Sequence, residues 1–169
     1  MANHRLPDTG GTPLGPTAGT ETALPGPAPG DLLFKIVSTL SPTTGSSPIN
    51  EPSIGVGGGR LLMTGNWWAA KHFRGGKDDT KWQYIDPYAD FPAFCCDQDV
   101  VLDPRRNIFI WYRQGIRDAS GENEVKITIA FRYLKTFWTY TVDPTYFGYA
   151  GEWFDYPHLG LTNNYLYIT

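Results

Sequence analysis

Cysteine is nearly absent from this chain of 169 residues: there are two, and they are neighbours, Cys95-Cys96. Adjacent cysteines exclude the long-range disulfide framework that supports many small secreted folds, so cysteine use leaves the compartment undetermined. Long apolar runs are missing too. No stretch approaches the roughly 20 residues a helix needs to cross a bilayer, and the start, Met1 to Pro7, has no apolar signal segment. The expectation is therefore no membrane partner. Positive charge is sparse, with a net charge of −3. The basic spots, Arg105-Arg106 and Lys71 to Lys77, are too short to follow a phosphate backbone, and exposed turns are their plainer account. Nucleic acid is not an expected partner. Three histidines, none with a second ligand at zinc spacing, imply no zinc site, and no metal-binding residue is assigned.

Aromatic residues are missing from the first thirty positions, which instead hold six Pro, six Gly and five Thr. Such a stretch cannot bury enough apolar surface to offset an ordering entropy of roughly 1–2 kcal/mol per residue. Residues 1–30 are expected to be a disordered tail. Every Trp, Tyr and Phe lies in 31–169, the expected folded part.

What this part does contain is a repeat of about 57 residues, a signal that decides fold class before local propensity does. Trp82-Gln83-Tyr84-Ile85-Asp86-Pro87 returns as Trp138-Thr139-Tyr140-Thr141-Val142-Asp143-Pro144. After each come an aromatic stretch, an acidic residue and two short apolar runs. Asp97 to Leu102 turns through Asp103-Pro104 into Ile108 to Tyr112, and Asp155 to Leu161 turns through Asn163-Asn164 into Tyr165 to Ile168. An earlier copy runs from Glu51 through Gly57-Gly58-Gly59 into Leu61 to Thr64. The runs are β-branched and aromatic, and Val125 to Phe131 alternates with period two. Strands are predicted at 52–56, 60–66, near 67–73 and 82–86; at 99–103, 108–113, 125–132 and 137–142; and at 157–161 and 165–169. No helix is predicted. Four antiparallel strands per repeat make a β-propeller blade. The predicted fold is thus all-β, about two and a half blades of an incomplete ring: blade 1 about 50–87, blade 2 about 97–144, a half blade at 155–169. Leu32 to Val37 is a further predicted strand outside the repeat. Rings typically close with four to eight blades, so further blades or self-association are expected. Trp82 and Trp138 are expected to be equivalent buried residues of the outer strands.

Gly75-Gly76-Lys77-Asp78-Asp79-Thr80-Lys81-Trp82 resembles the end of an Asp-box, the Ser-x-Asp-x-Gly-x-Thr-Trp turn of bacterial neuraminidase (BNR) repeats. Lys135-Thr136-Phe137-Trp138 is a second copy. Both keep the Thr and Trp with one extra residue between them; the Ser and Asp are out of register. Both stand between the third and fourth strands, where the family carries the motif. Residues 50–169 thus resemble the N-terminal part of a sialidase-like propeller. Sialidases hold the substrate carboxylate with arginines, the first in an Arg-Ile-Pro motif at the first inner strand. The matching segment here is Asn50-Glu51-Pro52-Ser53-Ile54, which puts Asn50 or Glu51 where the arginine belongs. The resemblance therefore implies the fold and not the activity, and no catalytic residue is carried over.

In this arrangement the inner strands start at Glu51, at Asp97 and Asp99, and at Asp155 and His158. Carboxylates from three successive blades then face one opening. They suit a glycosidase acid–base pair, which needs carboxyls roughly 5–9.5 Å apart, a Ca²⁺ site of six to eight oxygens, or acceptors for sugar hydroxyls. The plainer account is that each acid caps a neighbouring turn. Trp153 and Tyr156, in an aromatic segment that must run over a face, are candidates for stacking on a sugar ring. Cys95-Cys96 is either a vicinal disulfide or, as the usual burial of free cysteine favours, two small buried thiols. The reading as a whole is a non-enzymatic binding or scaffolding module, with a glycan the favoured ligand and no cofactor. The alternatives are a glycoside hydrolase and a structural piece that pairs through its blade edges.

Overall fold

The computed structural model describes residues 51–73, 82–131, 134 and 137–169. The predicted tail at 1–30, the strand Leu32 to Val37 and the Asp-box residues 75–81 and 135–136 lie outside the described residues. The described chain is all-β. Three antiparallel sheets follow one another, and the only helical element among the described residues is a single 3-10 turn, Thr145–Phe147.

The first sheet is a meander of β1 (Ser53–Gly57), β2 (Arg60–Gly65), β3 (Trp68–Phe73) and β4 (Gln83–Ile85). The second repeats it with β5 (Phe94–Asp103), β6 (Ile108–Gly115), β7 (Val125–Ala130) and β8 (Phe137–Val142). The third has two strands, β9 (Leu159–Leu161) and β10 (Leu166–Ile168). None of the sheets closes on itself. Ten predicted strands are present, with one large difference. β5 begins at Phe94, five residues earlier than expected, because its ladder is broken. Phe94 stands opposite Gly115 and Gln98 opposite Arg113, so Cys95, Cys96 and Asp97 together face the single residue Gln114. Such a bulge destroys the period-two signal by which a strand is recognised.

Turn chemistry follows the residues. Gly58 and Gly59, at φ 57° and 72°, form the two-residue β1–β2 turn, where both central residues need the left-handed region. The β2–β3 turn is Asn66-Trp67, with Trp67 at φ 67°. Between β5 and β6, the Asp103 carboxylate accepts the backbone N–H groups of Arg105 (2.9 Å) and Arg106 (3.0 Å) and pairs with the Arg106 guanidinium at 2.7 Å.

The core lies between the first two sheets. Leu62 and Ala69 meet Val100, Phe109, Trp111 and Ala130, with Leu134 buried among them. β1 packs against β5, and β5 in turn against β9. Gly57 makes the first approach possible, since a Cβ there would stand 2.1 Å from Leu102 Cδ2. A buried amide ties the sheets. Gln98 accepts from the Trp111 indole (2.9 Å) and donates to the carbonyls of Gly65 (2.5 Å) and Trp68 (2.9 Å). A buried guanidinium ties the connection between β4 and β5. Arg113 donates to both Asp90 oxygens (2.5 and 2.9 Å), to Pro87 O (2.9 Å) and to Thr128 Oγ1 (3.0 Å), and lies 4.3 Å from the Trp111 ring centroid.

Two expectations are corrected. Trp82 and Trp138 are not equivalent. Trp82 is half-buried against His72, its ring 5.1 Å away, whereas Trp138 is 63% exposed. The second copy has one more residue between its Trp and its Asp-Pro, and a one-residue slip sends every side chain to the opposite face. Trp138, opposite Ile129, and Tyr140, opposite Ile127, share the face of the second sheet to which Tyr112 belongs, and most of their surface is uncovered. The cysteines are not buried thiols either: Cys95 and Cys96 are joined in a disulfide and half-buried within the bulge.

Replacing Asp90 with Ala strips a buried guanidinium of its two-pronged acceptor and should destabilise the chain by about 3 kcal/mol in denaturant melts at pH 7. The Arg113 hydrogen bonds hold the Asp90 carboxyl below its usual range, against its partial burial and with help from the Arg113 and Lys126 charges. A depressed carboxylate contributes stability above its unfolded pKa and loses it as the pH falls through the folded value. The gap between wild type and Asp90→Ala should therefore narrow below about pH 4.

Candidate functional site

The starts of the three sheets meet in one open pocket. Glu51, Pro52 and Ser53 line it from the start of β1 and the two residues before it, Asp97, Gln98 and Asp99 from β5, and Tyr156, Pro157 and His158 from the segment before β9. Its volume is about 210 Å³. Five of the seven residues singled out from the sequence therefore share this pocket. Asp155 does not line it; its carboxylate accepts from the wholly buried Gln114 at 3.3 Å. Asp155 and Pro157 line a second, more apolar cavity of about 340 Å³, between the Tyr112 face of the second sheet and β10. Trp153 lies elsewhere, stacked under Arg117 with the guanidinium carbon 5.8 Å from its ring centroid, and joins neither cavity wall.

The acids do two different things. Asp99 is a strut. One oxygen accepts the Ser53 hydroxyl (2.6 Å) and the Val100 N–H (2.8 Å); the other accepts the Leu159 N–H (2.7 Å). It thereby joins the first strands of all three sheets, with its lone pairs well used. Asp97 has no such provision. Its carboxyl is within hydrogen-bonding reach of Glu51, receives Asn66 Nδ2 at 3.2 Å, and is approached by the Tyr156 backbone N–H. Burial first, then the nearby charges of Glu51 and Asp155, push the Asp97 pKa up to about 6. Beneath the acids, Tyr112 is fully buried. Burial, and then the charges of Asp97 and Asp155, lift its hydroxyl well above the usual phenol range.

Asn66 holds the pair together. Its Nδ2 also donates to Glu51 Oε2 at 2.9 Å, and its Oδ1 accepts the Glu51 backbone N–H at 2.9 Å. The residue is 5% exposed, so its amide is fully committed to the acids. It is presented by the two-residue turn whose other member, Trp67, is forced to positive φ. Tyr156, 53% exposed, is likewise at φ 50°. Bulky residues in this region are strained, and two of them flank the acids. Tyr156 and His158 stack edge to face at 5.3 Å along the rim. Sequence reasoning missed Asn66, Gln114 and Tyr112, none of which starts a sheet. The one signal for Asn66 was its place between two strand-like runs, which is also the signature of an ordinary turn. Among the described residues no group of three or more His, Cys, Asp or Glu side chains is disposed to hold a metal, and no helix is long and apolar enough to cross a membrane.

Comparison with known proteins returns no match: no family model, no curated protein and no solved structure is similar to this chain.

Asp97 works against the fold. A carboxyl whose folded pKa lies above its unfolded one binds extra protons in the native state. Stability from this group is then fully present below the ordinary carboxylate pKa, near 4, and is lost as the pH rises towards 6. Asp97→Asn, which keeps the shape without the charge, should therefore stabilise the chain at pH 8. We expect about 1 kcal/mol, allowing for solvent screening at this half-buried site. Paired denaturant melts should show the gain vanishing below pH 4.

Proposed function

We propose that the three sheets are successive blades of a BNR-repeat, sialidase-like β-propeller, and that the pocket at their starts binds a carbohydrate without turning it over. The blade reading is supported by two four-stranded meanders packed face to face, with β1, β5 and β9 as successive neighbours. The observation that carries the ligand reading is the contrast between the acids. Asp99 is tied into the framework, whereas Asp97 is kept against Glu51 in an open pocket at the expense of its own electrostatics. A fold that retains such a residue sacrifices stability where binding profits from it. Carboxylates accept hydrogen bonds from paired sugar hydroxyls, and the rings of Tyr156 and His158 offer apolar faces to a pyranose. Among the described residues the pocket walls carry carboxylates and no Lys or Arg, so an acidic sugar such as sialic acid is disfavoured and a neutral one favoured.

A second reading, a glycoside hydrolase, has one observation in its favour: a carboxyl that keeps its proton to about pH 6 is a suitable general acid. Glu51 is too near Asp97 for either glycosidase geometry, which leaves Asp155 as the partner. The uncovered face with Trp138 and Tyr140 favours further blades or a second copy packed on the second sheet. Light scattering of the purified chain reads that association directly.

Binding of neutral and acidic glycans by the full chain, on an array and then by calorimetry, tests the leading proposal. A neutral glycan should bind, Asp97→Asn and Tyr156→Ala should each weaken it by about 1–3 kcal/mol, and sialosides should neither bind nor be cleaved. Absence of glycan binding, or affinity indifferent to both substitutions, overturns the reading. Turnover of an aryl glycoside with a pH limb near 6 that is lost in Asp97→Asn would establish the hydrolase instead.

A further inference from the structure

Cys95 and Cys96 immediately precede Asp97, and all three residues make up the bulge that faces Gln114. Within this bulge β5 has no ladder pairing with β6; its nearest anchors are Phe94 opposite Gly115 and Gln98 opposite Arg113. A disulfide between adjacent residues closes an eight-membered ring through their shared peptide bond, which removes backbone freedom on the N-terminal side of Asp97. Electrostatics pull the other way. Glu51 ahead of β1 and Asp155 ahead of β9 face Asp97 with like charge, and Asp99 adds a further acid on the same strand. Around it also stand Asn66, Tyr112, Gln114 and Tyr156, with the imidazole of His158 on the rim. The Asn66 amide and the Tyr156 N–H favour its ionised form.

We propose that the Cys95–Cys96 disulfide is the positioning element of this site, so that Asp97 stays against Glu51 and Asn66 only while the two sulfurs are joined. The ring holds the bulge in the one arrangement that brings the carboxyls together; once opened, three unladdered residues relax and the repulsion moves Asp97 away. Both cysteines are half-buried, so a small dithiol reaches them. Its first thiolate attacks one cysteine sulfur and breaks the S–S bond to give a mixed disulfide, and its second thiol displaces that cysteine. The dithiol ends as a cyclic disulfide, and two electrons and two protons end on the cysteine thiols. The proposal holds whatever ligand the pocket takes.

The test follows Asp97 through its titration in the full chain. Carboxyl NMR of chain labelled at Asp, with Asp97→Asn to assign the signal, should give a midpoint near 6 in the oxidised chain. After dithiothreitol treatment, with two new thiols counted per chain, the midpoint should fall by about one unit or more towards the ordinary carboxylate range. Cys95→Ser combined with Cys96→Ser should do the same. A midpoint still near 6 in reduced, folded chain overturns the proposal. A second measurement does not depend on the reduced form staying folded. Positioning is reciprocal, so the site must act back on the disulfide. At pH 8 the closed ring holds two like charges together, and Glu51→Gln relieves that repulsion. In dithiothreitol redox buffers the Glu51→Gln disulfide should be harder to reduce, by about threefold or more in the exchange constant. Equal constants for the two chains overturn the proposal.

Discussion

The hydrogen bonds of Gln98 decide where everything else stands. This one buried amide takes the Trp111 indole from its own sheet and reaches across to the carbonyls of Gly65 and Trp68. Those carbonyls flank the Asn66-Trp67 turn, so Gln98 fixes that turn against β5. Gln98 is also the residue at which the ladder resumes after the bulge. One side chain thus sets the distance between the turn that carries Asn66 and the bulge that carries Asp97. The core of Leu62, Ala69, Val100 and Phe109 supplies most of the attraction between the sheets, but apolar packing is non-directional. The amide gives the interface its register.

The contrast among the acids follows from where the backbone leaves donors free. Asp103 stands at a hairpin turn and Asp99 where three strands converge, and both find N–H groups close at hand. Asp97 sits on a bulge, with Asn66 and the Tyr156 backbone as its donors and two like charges as neighbours. The same residue type at nearly the same place in the repeat is therefore a framework element in one case and an electrostatic burden in the other.

This contrast also marks what the sequence made legible. Strand positions were readable because alternation and turn residues are local, as in Val125 to Ala130 or Gly58-Gly59. The gathering of Glu51, Asp97 and Asp99 was readable because repeat spacing puts them at matching places in successive sheets, although Asp97 and Asp99 lie within β5 and not at its start. The different duties of Asp97 and Asp99 were not, since they turn on the partners Ser53 and Leu159, 46 and 60 residues away from Asp99. The bulge was hidden for a related reason. Residues that break alternation look like a loop until the partner strand is known, so alternation alone starts β5 at 99. At Trp138 the motif recurs out of register, and one extra residue before Asp143-Pro144 reverses its face, which no local signal shows.

The strut at Asp99 has a consequence for how the molecule comes apart. The first two sheets share a core, an amide clamp and the Arg113 anchor, so they open as one cooperative unit. A two-stranded hairpin such as β9–β10 has little stability of its own, and the hydrogen bonds that tie it to that unit are the one from the Leu159 N–H to Asp99 and an exposed one from the Arg106 guanidinium to the Asn163 carbonyl. The hairpin therefore belongs to the low-energy end of the local unfolding spectrum. Each time it lifts away, the Tyr156–His158 rim leaves with it. The pocket is then a transient assembly whose lifetime is read in the exchange of one backbone amide with solvent.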